Sequence, residues 1–113
     1  MNNQYHIKSR IWIIKDDHTF LGEGRVELLA NIDILGSINK AAKAMKMSYQ
    51  KAWKMIDSMN ADANNPLVIK TSGGKQGGGT ILTPYGKKVL KLFKTLQKKQ
   101  HTFLTKELKK LEF

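Results

Sequence analysis

Two serines, Ser37 and Ser48, constrain what this chain can fold into more than any other residues. Each stands immediately before an apolar repeat at helical spacing, and each carries a hydroxyl able to accept a hydrogen bond from the unpaired amides of a first helical turn. Behind Ser37, the residues Ile38, Ala41, Ala42 and Met45 share one face; behind Ser48, so do Tyr49, Ala52, Trp53, Ile56, Met59 and Ala63. Ser48 follows Met45 by three residues, so a first helix of about two and a half turns must bend sharply into the second. The small Ala41-Ala42 pair allows the two helices to cross closely. Gln50, Lys51 and Lys54 fall off the stripe and are expected to face outward.

The flanking segments complete the unit. His6 to Lys15 alternates imperfectly, with Ile7, Ile11 and Ile13 on one side and Lys8, Arg10 and Trp12 on the other, the period of a strand with one buried face. Asp16-Asp17-His18 reads as a turn, and Gly22-Glu23-Gly24 releases the chain into a helix carrying Leu28, Leu29, Ile32 and Leu35 until Gly36 stops it. After Asn64-Asn65-Pro66, the run Leu67-Val68-Ile69 reads as a strand. The glycine-rich loop from Ser72 to Gly79 then leads to a returning strand at Thr80-Ile81-Leu82. Thr83-Pro84 caps a final helix.

Charge follows the same divisions. The formal net charge is +11, yet residues 1 to 36 hold four basic residues against five acidic ones. Residues 37 to 56 hold five lysines and no acid, and nine lysines separate Asp62 from Glu107. The excess is therefore concentrated on the paired helices and on the region after Asp62, which calls for a polyanionic partner. A chain without cysteine forms no disulfide scaffold, thiol nucleophile or cysteine-bound zinc site. His6, His18 and His101 lie far apart and match no zinc pattern, even with Asp16 and Asp17 beside His18. Gly78-Gly79-Thr80 lacks the lysine that a P-loop places before its hydroxyl. No residues are spaced as a nucleophile with its base or as an acid–base carboxylate pair, so neither an enzyme nor a cofactor is expected. No secretory signal or membrane-length apolar run is present, which makes the expected location cytoplasmic.

Two capped helices with a tight turn, followed by a basic hairpin, form a helix-turn-helix pattern with a wing. The expected fold is mainly α with small β, with a DNA-binding head over residues 1–82 and a long C-terminal helix over 83–113 in the same compact unit. The second helix of the pair would enter the major groove of double-stranded DNA, where Gln50 suits adenine and Lys51 or Lys54 suits guanine or phosphate. The candidate DNA contacts are Ser37, Asn39 and Lys40 on the first helix and Ser48, Tyr49, Gln50, Lys51 and Lys54 on the second. The wing adds Lys70, Thr71, Gly74, Lys75, Gln76 and Thr80. Trp53 reads as core, Tyr49 as core or phosphate contact, and Arg25 as either a phosphate contact or a surface residue.

Several elements resemble one family. Gly24-Arg25, Gly36-Ser37-Ile38, Met47-Ser48-Tyr49, Ala52-Trp53, Met59-Asn60, Pro66-Leu67-Val68, Gly73-Gly74-Lys75, Gly77-Gly78-Gly79 and Leu82-Thr83-Pro84-Tyr85-Gly86 are similar to the N-terminal domain of the ModE family of molybdate-responsive bacterial regulators. More distantly, the arrangement resembles the winged helix of LysR-type regulators. The resemblance covers roughly residues 6 to 96 and implies that the helix from Ser48 is the recognition helix and Lys70 to Thr80 the wing. Lys46 stands in the turn where that family often has Gly, and Lys70 where many relatives have Arg. The chain stops at Phe113, short of the family's C-terminal molybdate-binding modules, so direct molybdate binding is not expected.

From Tyr85 to Leu111 the apolar positions Tyr85, Val89, Leu92, Phe93, Leu96, Phe103, Leu104, Leu108 and Leu111 extend over roughly 40 Å of helix, longer than a head of this size. The distal half must project, pair with a second copy in a homodimer, or break near Gln97 to His101 and fold back. An architectural DNA-coating protein and a protein-binding adaptor are the alternatives to a regulator.

Overall fold

The computed structural model describes residues 4–71 and 79–113. In chain order the elements are β1 (Ile13–Lys15), β2 (His18–Leu21), α1 (Glu23–Leu35), α2 (Ile38–Ala44), α3 (Tyr49–Asp62), β3 (Val68–Lys70), β4 (Thr80–Leu82) and α4 (Pro84–Leu108). The strands form two separate antiparallel hairpins, β1–β2 and β3–β4. The result is the expected mainly helical winged helix-turn-helix with a C-terminal helix.

The helix ends obey their caps. Ser37 Oγ accepts from Lys40 N at 3.1 Å and Ser48 Oγ accepts from Lys51 N at 3.1 Å. Gly36 closes α1 in the left-handed region at φ 67°, its amide donating to Ile32 O at 2.8 Å. Thr83 Oγ1 accepts from Gly86 N at 2.9 Å and donates to Pro66 O at 2.7 Å, so the cap of α4 also ties down the entry to β3. A side chain at Gly86 would meet the Leu67 carbonyl oxygen at 2.1 Å, which makes glycine necessary for this approach.

Leu28, Leu29 and Ile32 of α1, Ile38, Ala41 and Ala42 of α2, and Ala52, Ile56 and Met59 of α3 form the buried centre, joined by Leu67, Val68, Leu82 and Phe93. Ala41 and Ala42 are fully enclosed, as a close helix crossing requires. Leu35, expected on the buried stripe of α1, lies partly in solvent at the helix end.

The N-terminal region departs most from expectation. Pairing is confined to Ile13–Lys15, where a strand from His6 was expected, and His18, expected in the turn, begins a second strand. Residues 4 to 12 instead run as an arm beside the distal half of α4. Ser9 Oγ donates to Gln100 Oε1 at 3.0 Å, and the Tyr5 and Phe113 ring centroids lie 5.0 Å apart. The helix α4 is continuous through Gln97 to His101, and its 25 residues lengthen the molecule to 59 × 29 × 23 Å. Part of what the distal half needed as a partner is thus supplied by the chain's own N-terminus.

Candidate nucleic-acid interface

One surface collects the N-terminal ends of α2 and α3 and the base of the β3–β4 hairpin. The base is fixed first: Lys70 pairs with Thr80 across the hairpin, Thr71 N donates to Gly79 O at 2.8 Å, and Gly79 N donates to Thr71 Oγ1 at 3.0 Å. Thr80 N donates to Gly36 O at 3.1 Å, which sets the hairpin against the corner between α1 and α2. Between these elements lies a cleft of about 320 Å³ lined by Ser37, Asn39, Tyr49, Lys70, Thr71 and Thr80, among others.

Most of the described candidate residues reach solvent here. Asn39, Lys40, Ser48, Tyr49, Gln50, Lys51, Lys54 and Lys70 are exposed, and Ser37 and Thr71 are half-buried. Thr80 differs from expectation: it is 6% exposed and forms the floor of the cleft, because its strand is clamped to Gly36. Gly74, Lys75 and Gln76 lie outside the described residues. No acid occurs on α2 or in the first turn of α3, so this surface is electropositive.

Tyr49 and Trp53 were expected on the packed stripe of α3, but the stripe opens at its N-terminal end. Tyr49 is 45% exposed and Trp53 is half-buried against the core. The two rings meet edge to face at 6.3 Å, with Trp53 Nε1 donating to the Tyr49 hydroxyl oxygen at 2.5 Å. Lys70 Nζ rests over the Trp53 ring, 4.4 Å from its centroid. A cation over an indole face is held by the ring's quadrupole, here linking the hairpin to α3.

Two polar residues set the orientation of α3. Asn60 Oδ1 accepts from Leu67 N at 2.8 Å and from Val68 N at 3.3 Å, while its Nδ2 donates to Val68 O at 3.0 Å. Arg25 is neither a free surface residue nor positioned at the cleft. Its Nη1 donates to Thr19 O, Phe20 O and Ser58 Oγ at 2.7, 3.1 and 3.2 Å, joining β2, α1 and α3. The sequence signal for Asn60 was a polar residue directly beside the buried Met59; for Arg25 there was none.

At the opposite end of α3, His18 Nε2 lies 2.7 Å from Asp62 Oδ2, and Lys15 Nζ donates to Asp62 O at 2.7 Å. The hydrogen bond to Asp62, then that to Asp17, raises the His18 pKa above its ordinary 6.5. Among the described residues no group of three or more His, Asp or Glu gathers as a metal site, and no helix is long and apolar enough to cross a membrane.

Residues 24–87 match the family described as bacterial regulatory helix-turn-helix protein, lysR family. The chain is 44% identical over 89 residues to the molybdenum transport protein ModE of Azotobacter vinelandii, covering 79% of this chain and 33% of that protein. It is 45% identical over 85 residues to the transcriptional regulator ModE of Haemophilus influenzae, covering 74% and 33%. To the DNA-binding transcriptional dual regulator ModE of Escherichia coli K12 it is 40% identical over 77 residues, covering 68% and 29%. The chain thus spans about a third of the length of these curated relatives. Among solved structures, a hydrogen-peroxide-bound OxyR mutant of Corynebacterium glutamicum matches with a TM-score of 0.53 at 17% identity, over 73% of this chain and 24% of that one, a likeness of fold. With more than half of its residues inside the family match, and with the capped helix pair and hairpin at the centre of that span, the chain belongs to the lysR family of bacterial regulatory helix-turn-helix proteins.

Proposed function

We propose that this protein is a DNA-binding transcriptional regulator that reads double-stranded DNA with α3 in the major groove and holds neighbouring phosphates with α2 and the β3–β4 wing. The observation that carries this reading is the convergence of Ser37, Asn39, Tyr49, Lys70 and Thr71 on one cleft beside the exposed Gln50, Lys51 and Lys54. Side chains suited to base edges stand on the helix, and those suited to phosphate surround it, the division that sequence-specific binding uses. The names of the ModE relatives support the same reading.

The head would work as a homodimer. Leu92 and Phe103 of α4 are 58% and 61% exposed, and Leu96 lies between them on the same face. Pairing of these stripes about a two-fold axis would present two recognition helices to a pseudo-palindromic site. Sedimentation should give a dimer for the native chain and a monomer after joint Leu92→Glu and Leu96→Glu replacement; a native monomer at micromolar concentration would refute the pairing.

A second reading, an architectural DNA-coating protein, is favoured by the exposed lysines Lys87, Lys91, Lys94 and Lys98 along one side of α4. Competition binding separates the two. A regulator retains a preference of about 10³ or more for its site over random duplex, whereas a coating protein has none. Under the regulator reading, Gln50→Ala changes which sequences are selected from a random pool; a uniform loss across all sequences supports coating instead.

A further inference from the structure

We infer that Trp53 is a positioning residue that holds the Tyr49 hydroxyl and the Lys70 ammonium together as one binding site for a single DNA backbone phosphate, between the recognition helix and the wing. The inference rests on the DNA-binding reading above and adds a role for a side chain otherwise assigned to packing.

The argument begins with the direction of one hydrogen bond. An indole N–H can donate but has nothing with which to accept, so in the Trp53–Tyr49 contact the tyrosine oxygen is the acceptor. The phenolic proton is thereby left available to a third group, which must be an acceptor. A phosphodiester oxygen, which accepts and never donates, is suited to it. Without the indole, the hydroxyl could rotate and spend its proton on water or a neighbouring carbonyl.

The same indole serves Lys70 through its face. Lysine has a long, flexible stem, and an ammonium at the edge of a hairpin ordinarily samples many positions. With Nζ 4.4 Å from the ring centroid, Lys70 is held on the α3 side of the hairpin, where it lines the cleft that Tyr49 also lines. A cation–π contact supplies no opposite charge and leaves the ammonium protons that face away from the ring available, so the ring restrains the charge without neutralising it. A neutral donor from α3 and a cation from β3 are therefore brought to one cleft by one side chain, and Ser37, Asn39 and Thr71 line its remaining walls. The ligand chemistry this selects is a singly charged phosphodiester bridging helix and wing.

The test compares salt dependence across variants that differ in charge. Each Lys or Arg contact to a duplex phosphate contributes about 0.9 to the slope of log affinity against log salt. On a mixed-sequence duplex, Lys70→Gln should lower the slope by about 0.9. Trp53→Leu removes no charge, yet should lower it by a similar amount, because Lys70 loses its platform. Tyr49→Phe should weaken binding roughly fivefold with little change of slope. A Trp53→Leu protein that melts cooperatively and binds with the native slope overturns the inference.

If Trp53→Leu fails to fold, Trp53→Phe decides through a double-mutant cycle. It keeps a ring beneath Lys70 but removes the N–H, so it should weaken binding about threefold in the native background and not at all on top of Tyr49→Phe. Equal effects in both backgrounds overturn the inference. Absence of duplex binding by the native chain at low salt overturns the DNA-binding reading and the phosphate site with it, whereas native binding with an unchanged Trp53→Leu slope removes the phosphate site alone.

Discussion

Hairpins β1–β2 and β3–β4 both brace α3, the first mainly through side chains at the helix's rear and the second through its strand backbone. On β1–β2, the contacts are Lys15 to the Asp62 carbonyl, His18 to the Asp62 carboxylate, and Arg25 reaching back from α1 to Thr19, Phe20 and Ser58. On β3–β4, Asn60 grips the backbone of Leu67 and Val68, which are themselves buried with Leu82. One brace depends on ionisable groups, of which Lys15 and His18 are in contact with water; the other depends on a neutral, half-buried side chain that bonds the backbone of the buried Leu67 and Val68. A neutral, shielded hydrogen bond is costly to break because its partners are stranded, whereas an exposed ion pair can exchange its partner for water. The wing should accordingly hold its place across conditions, while the grip on the rear of α3 varies with pH.

The sharpest way to break this contrast is at Asn60. Asn60→Ala strands two buried amides and a carbonyl at the start of the wing and should cost about 2–3 kcal/mol in a chemical denaturation experiment. Asn60→Asp should be no milder, since it replaces the donating amide with a carboxylate oxygen facing Val68 O. A loss as small as a surface substitution would mean that the wing is held without Asn60, by the packing of Leu67, Val68 and Leu82 together with the Thr80–Gly36 bond and the Lys70–Trp53 contact.

This asymmetry also explains which parts of the molecule could be read from the chain. The helices α1 to α3 and the strands of the wing follow from local rules: a cap, an apolar period and a left-handed glycine each act within a few residues of themselves. The exposure of Gln50, Lys51 and Lys54 was legible for the same reason, because a residue off the stripe of a capped helix faces solvent, whereas that of Tyr49, on the stripe, was not. The hairpin β1–β2 was not legible, because His18 to Leu21 is too short to show alternation, although Thr19-Phe20-Leu21 after a two-residue turn was a usable hint. The arm over α4 was hidden for another reason: its alternation was real, but the alternate residues meet a helix from the far end of the chain instead of a strand. Lys70 over Trp53 joins residues seventeen apart through a hairpin and left no periodic trace.

The rear brace should respond to protonation. The folded-state pKa of His18 lies above its unfolded value through Asp62 first and Asp17 second, so the stability it contributes is fully present below about pH 6.5 and is lost as pH rises through the folded value. Native protein should melt at a higher temperature near pH 6 than near pH 8, beyond the change seen for His18→Gln. Asp62→Asn removes the principal partner and should flatten the difference; Asp17→Asn should reduce it less. Lys15 is bound to the Asp62 carbonyl, not its carboxylate, and should not set the pH dependence. An unchanged pH profile in Asp62→Asn would place the sensitivity elsewhere.

The smallest effect compares the turn of the first hairpin with the turn that leads into α3. Asp16 at φ 56° and Lys46 at φ 57° are left-handed residues with side chains, one in each turn. A Cβ makes this conformation costly, by about 1–2 kcal/mol, unless a short polar side chain offsets it through local hydrogen bonding, as Asp can and Lys cannot. Replacement by Gly relieves that strain but adds about 0.4–1 kcal/mol of unfolded-chain entropy to be lost. For Lys46→Gly the relief is the larger quantity, so stability should rise by up to about 1 kcal/mol. For Asp16→Gly the two nearly cancel, and the stability should stay level or fall slightly. Paired denaturation curves decide the matter: equal gains at both positions would show that the Asp16 side chain gives its turn no support, and a loss at Lys46 would show that its ammonium or stem stabilises the crossing of α2 and α3.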